Sequence, residues 1–334
     1  MFLFSEGSQA MHKRYVNHCT LCLTLKPDGP VLIKAGKQGA DPTKPDMEFV
    51  ETYRGGGRTV YFPGSSLKGA IRAHAERIVR TVGGDRRPEG NKLQLWASDP
   101  LDQKANQWLE KIAESHRVYA LSSFTDQMFG NTAIASRLRI EDAYPKPGTP
   151  LRLEERNGVA IDRVFGSVAV GPFSYQVCVE GSFQTKIHLK NFTLAQLGLL
   201  GLVLRDLDEG WFGIGFAKSR GMGRVRVEYE WATVDYPGCL VEEGSQELRL
   251  LGSQLAWPRG SLLGASEFLS PEEAGKYGFA KPDRQLVPVG AEPMPLGFGA
   301  RLTWDQTSEA KVEHLLATAV NSWAKLLQAE AKAV

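Results

Sequence analysis

Two glycine-bounded segments of this chain carry the residue types that grip phosphates. Gly64-Ser65-Ser66-Leu67-Lys68-Gly69 sets two hydroxyls and a cation together, with Arg72 one turn further on. A nucleotide P-loop needs Gly-Lys-Ser/Thr, so that the lysine reaches the terminal phosphates and the hydroxyl holds magnesium. Here Lys68 precedes Gly69, which argues against an ATPase loop. What remains is a helix start with free amides, hydroxyls and cations, a sound geometry for a backbone phosphate. The second segment, Gly213 to Arg224, places four glycines around Lys218, Ser219, Arg220, Gly221, Met222, Gly223 and Arg224. It lacks the strand-first order and the following acid of a dinucleotide site. Contact with single-stranded RNA is the better functional reading, since glycines let a backbone lie close to a ligand and the cations neutralise phosphates. Taken alone, the two motifs are equally a capped helix with a solvated lysine and a Gly-rich hairpin.

Other reactive residues are sparser. Cys19 and Cys22 lie in a run of strand formers, where positions three apart face opposite ways, and no second pair completes a zinc shell. Among carboxylates, Asp41, Asp46 and Glu48 share one charged loop. Among histidines, His12, His18 and His74 are the residues a general-base role would draw on, with a cation beside them for any developing charge.

The elements that must position these residues follow from periodicity. Residues 14 to 25 read as a strand, closed by the turn Pro27-Asp28-Gly29-Pro30 before Val31-Leu32-Ile33. Residues 36 to 58 read as a long loop. Pro63-Gly64-Ser65-Ser66 opens a helix that Ser65 or Ser66 can cap, with Leu67, Ile71, His74 and Ile78 as its buried stripe. A polar insertion with a short helix near Asn106 to Ala113 follows. Strands are expected at 137–143, 174–179, 183–189 and 224–229. Between the last two lies a helix with a Thr193/Gln196 capping box and a Phe192–Leu197 staple. The final helix, from about Ser308 to Ala331, carries the stripe Val312, Leu315, Leu316, Ala319, Val320, Trp323, Leu326 and Leu327, which must dock on its own core or on a partner.

The order β, α, β, β, α, β predicts an α+β, ferredoxin-like (RRM-like) core, an arrangement many RNA-binding domains share. The chain has 334 residues, 42% hydrophobic and 23% charged, with a net charge of +2. That composition excludes a disordered tail or a small disulfide-stapled domain. Residues 232–334 hold 9 Lys and Arg against 13 Asp and Glu, so the basic surplus sits in residues 1–231. The longest apolar run, Leu197 to Leu204, is too short to span a bilayer, and the start of the chain has no secretory h-region. A cytoplasmic protein without membrane partners is expected.

The segments Tyr61 to Arg72, Phe129-Gly130 with Ala135 to Ala143, Asn157 to Arg163, and the Gly-rich loop together resemble the RAMP superfamily of CRISPR-associated proteins, over about residues 14 to 231. The resemblance implies an RRM-like core over residues 1–231, with an insertion at about 85–120 and a thumb hairpin at about 145–172, followed by a C-terminal extension over 232–334. It implies a backbone subunit of a type III or type IV effector complex, whose partners are guide RNA (crRNA), a target nucleic acid, further copies of itself and other effector subunits. Ser65, Ser66, Lys68 and Arg72 would hold guide phosphates. Arg137, Arg139 and the Gly-rich loop would line the same groove, and Arg156 and Arg163 of the thumb would sit beside RNA. Type III members cut target RNA with an acidic loop residue, for which Asp46 comes nearest in position, although Lys44-Pro45-Asp46-Met47 departs from the usual context. No cofactor is expected, and a divalent metal only if RNA is cleaved. A repeat-processing ribonuclease and a protein scaffold of the same fold are the alternatives.

Overall fold

In a computed structural model, residues 13–36, 45–88, 95–99, 102, 106–242, 244–306 and 310–333 are described. The first part contains β1 (His18–Pro27), β2 (Glu51–Arg54), β3 (Gly57–Val60), α1 (Gly64–Val82), α2 (Ser115–Leu121) and α3 (Phe124–Phe129). Then come β4 (Leu138–Ile140), β5 (Tyr144–Pro145), β6 (Arg152–Ile161), β7 (Val168–Glu180), β8 (Phe183–Lys190), α4 (Leu194–Asp208) and β9 (Val225–Tyr236). The C-terminal part holds β10 (Cys239–Leu240), β11 (Glu247–Leu250), β12 (Ala256–Pro258), β13 (Ser261–Leu263), α5 (Pro271–Lys276), β14 (Arg284–Leu286), β15 (Glu292–Pro293), β16 (Ala300–Asp305) and α6 (Val312–Ala333).

β1 lies at the centre of an antiparallel sheet ordered β15-β16-β9-β1-β8-β4, with β5 also on β8. Its alternation divides the sheet's two faces. Leu23 and Leu25 join Ile140 and Ile187 under Leu67 and Ile71 of α1 and Leu204 and Leu207 of α4, so both helices cover one face. On the other face Thr20 meets His188, and Thr24 donates to Glu230. Cys19 and Cys22 are both buried, and burial pushes both thiols up from their ordinary range.

The helix ends follow local chemistry with one correction. At α4, Thr193 Oγ1 accepts the Gln196 N–H and Gln196 Oε1 accepts the Thr193 N–H, the expected capping box. At α1 neither Ser65 nor Ser66 caps: Pro63 is the N-cap residue, and Asp142 Oδ1 accepts the Gly64 N–H at 2.7 Å. A carboxylate from a distant loop has replaced the local hydroxyl, leaving both serines in the first turn.

Three further expectations change. Residues 51–60 form a hairpin, where a loop was expected. Gly55 and Gly56 take φ values of +61° and +86°, as a tight two-residue hairpin turn requires. The thumb extends beyond residue 172, because β7 runs to Glu180 and pairs with β6 along most of its length; the expected strand 174–179 is that hairpin's return arm. The boundary at 231/232 falls inside β9. Beyond it β16 pairs with β9, and α6 packs along α4, where a Cβ on Gly201 would approach Leu316 to 3.2 Å. The apolar stripe of α6 is therefore covered by its own chain. Among the described residues no helix is long and apolar enough to cross a membrane.

Candidate nucleic-acid interface

The Gly-rich loop is pinned at both ends and open in the middle. Ile214 N–H donates to the Gly223 carbonyl at 2.8 Å, Gly223 N–H to Pro30 at 2.8 Å, and Phe216 N–H to Leu32 at 2.7 Å. Gly215 and Gly223 hold φ values of +76° and +88° with backbone carbonyls packed where a Cβ would stand, so the loop closes only with glycine there. Met222 is buried beneath it. Between these pins Lys218, Ser219 and Arg220 make one exposed 3-10 turn, entered through Ala217 in the left-handed region and left through Gly221. Met222 and Gly223 thus shape the loop, while Lys218, Ser219 and Arg220 present its polar surface. Arg224 is half-exposed and already beside an acid, its Nε 3.0 Å from Asp28 Oδ2.

The β6–β7 hairpin, the expected thumb, meets this loop midway along its length. Arg156 of β6 and Arg220 share a recess of about 110 Å³ with Phe173, Tyr175 and Phe216, and the Arg220 guanidinium lies 5.2 Å from the Phe216 ring centre. Phe173 and Tyr175 are two apart on β7, so they share a face. Sequence reasoning passed over these two rings, although the aromatic spacing in Phe173-Ser174-Tyr175 would have marked them. Arg156 also contacts Glu154 at 3.3 Å. Arg163 lies in the turn at the thumb tip, where Val164 and Phe165 are each 83% exposed.

At α1 the predicted residues part company. Ser65 is exposed, Ser66 half-buried, and Lys68 donates to Ser136 Oγ at 2.8 Å. Burial first, and the Arg72 charge second, lower the Lys68 ammonium below its ordinary value. An arriving phosphate would reverse that shift. Arg72 turns inward: it donates to Glu76 Oε1 at 2.8 Å, to the Gly130 carbonyl at 2.8 Å and to Asp126 Oδ1 at 2.7 Å. Two buried acids claim it, so it fastens α3 to α1. Arg137 also turns inward. It is 8% exposed, donates to the Asn191 carbonyl at 2.6 Å and lies 3.9 Å over the Tyr119 ring. Its neighbour Arg139 is exposed, 3.3 Å from Glu141.

The catalytic candidates disperse. Asp46 docks on the thumb: its Oδ2 accepts the Ser174 N–H at 2.8 Å, and its own N–H donates to Ser174 Oγ at 3.2 Å. His74 is buried, 2.7 Å from Asp206 and stacked on Phe212. His18 stacks on His188, rings 5.5 Å apart, on the sheet face opposite the helices. Burial, then the charge on His188, lowers its pKa. His12 and Asp41 lie outside the described residues. Among the described residues no group of three or more His, Cys, Asp or Glu is placed to hold a metal ion.

A helix-backed antiparallel sheet with a cation- and aromatic-lined junction at one end defines an α+β protein whose surface suits a single-stranded polyanion. The chain belongs to the RAMP superfamily, whose sequence profile matches residues 24–226, more than half of its length. That membership gives it a CRISPR-associated, RNA-binding role. No curated protein matches the chain. The matched region begins inside β1 and ends inside β9, so β16 and α6 lie beyond it.

Proposed function

We propose that this chain is a guide-RNA-binding backbone subunit that lines crRNA in several copies within a type III or type IV effector complex and presents it for target pairing. The observation that carries the reading is the junction of thumb and Gly-rich loop, where Arg156 and Arg220 line an open recess with aromatic rings and Lys218 stands exposed on the adjoining turn. Cations there neutralise phosphates while the rings accept unpaired bases, the combination that single-strand binding needs. The ferredoxin-like reading of the core rests on the order β9-β1-β8-β4, with α1 following the first strand and α4 the third. The thumb supports assembly: its outer half exposes Val159, Ile161, Val164 and Phe165, apolar side chains suited to lying across a neighbouring copy and its guide. Asp46, engaged with Ser174, tethers loop to thumb and is assigned no catalytic role.

The test is RNA binding by the triple variant Arg156→Ala, Lys218→Ala, Arg220→Ala. Its affinity for a repeat-derived single strand should fall, and the slope of log affinity against log salt should flatten by about 2, at roughly 0.7 per lost phosphate contact. An unchanged slope overturns the reading.

A further inference from the structure

A second aromatic surface lies outside the recess lined by Phe173, Tyr175 and Phe216. Tyr61, two residues before Pro63, stacks on Tyr144 of β5, with ring centres 5.5 Å apart and planes 15° from parallel. On Tyr144 the Arg54 guanidinium sits 3.7 Å from the ring centre. Neither tyrosine belongs to the buried core, and Arg54 is exposed at the tip of the β2–β3 hairpin. The geometry points to a base-stacking site: one unpaired RNA base stacks on Tyr144 in the place the Arg54 guanidinium takes, with Tyr61 beneath it.

The physical case has three parts. A planar cation at 3.7 Å from a ring occupies the separation a nucleobase takes, and every base has a π-face, so the site accepts any base. Arg54 is a long, exposed side chain beside a glycine turn, so its head can leave the ring without breaking the β2–β3 pairing. Asp142 joins this stack to the first turn of α1: one oxygen accepts the Gly64 N–H at 2.7 Å, the other the Tyr144 hydroxyl at 3.2 Å. The stack is thereby fixed in place beside Ser65, Ser66 and Lys68, where a phosphate would be held. Tyr53, 77% exposed with Arg58 5.6 Å over its ring, extends the same hairpin with a second aromatic and cation.

The inference rests on the guide-binding reading and deepens it with a base subsite. Single-stranded oligoribonucleotides carrying 5-iodouridine at successive positions, irradiated in complex with the full chain, test both. A crosslink to Tyr144 or Tyr61 from one position, with affinity lowered roughly tenfold by Tyr144→Leu and kept by Tyr144→Phe, is the expected result. Tyr61→Leu should weaken the same crosslink, and thermal melting of each variant separates lost stacking from lost fold. Crosslinks confined to Phe173, Tyr175 or Phe216, with affinity unmoved by either leucine variant, overturn the stacking site and leave guide binding standing. Failure of the wild-type chain to bind the oligonucleotides overturns both.

Discussion

Asp283 is a carboxylate whose charge this fold bears poorly. Its Oδ1 accepts the Leu194 N–H at 3.0 Å, a free amide of the first turn of α4. Burial lifts its carboxyl to about 7, with the Glu267 charge adding to the rise against the hydrogen bond from Leu194. An unfolded aspartate titrates near 4, so between about pH 4 and 7 the folded chain binds a proton that the unfolded chain has released. The stability from this group is complete below that range and is lost as pH rises through it, on the order of 4 kcal/mol in all. Asp283→Asn keeps the acceptor and removes the charge. Thermal melts should show the variant's advantage over wild type largest at pH 8 and shrinking steadily as pH falls toward about 4; an advantage that does not change with pH would place the titration elsewhere.

At the scale of elements, cations divide by what surrounds them. Arg72 and Arg80 both reach Glu76, and Arg80 also donates to the carbonyls of Ala97 and Ser98, whose hydroxyl in turn donates to Asp126. This network fastens α1 to α3 and to the insertion before it. Arg72→Ala strips Asp126 of its guanidinium in a fully buried position and should cost about 3–5 kcal/mol of stability, read as a lower urea midpoint. Lys68→Ala loses only a hydrogen bond to Ser136, so its unfolding free energy in urea should stay within about 1 kcal/mol of wild type while RNA affinity falls. The helix stripe of α1 was readable from spacing, since Leu67, Ile71 and His74 are all buried. The inward turn of Arg72 was not, because its partners Asp126 and Gly130 lie more than fifty residues away and no local period links them.

For the whole molecule, the C-terminal part completes the sheet and helps cover its helices. β16 extends the sheet past β9, Trp304 is fully buried, and α6 runs along α4 close enough that Gly198 meets the Ala319 carbonyl where a Cβ would stand. Ending the chain after Gln306 would strip α4 of that cover. It should abolish the cooperative thermal transition; a scaffold whose last helix serves only a partner would keep its transition and lose the partner alone.

Read alone, the sequence determined what repeats within a few residues: the alternation of β1, the Thr193/Gln196 box, the stripes of α1 and α6, and the two glycine-bounded cationic motifs in their chain order. These are set by backbone geometry, which acts between near neighbours. Only the tertiary structure decided which cations face outward. Arg72 and Arg137 look identical to Lys218 and Arg220 in the sequence, but buried acids, a carbonyl and an aromatic ring draw the first two inside. Likewise, only chain return brings Phe173 and Tyr175 to the Gly-rich loop and Tyr144 to Tyr61. The proposed RNA surface is built from residues whose proximity depends on long-range packing, and that packing leaves no period to read.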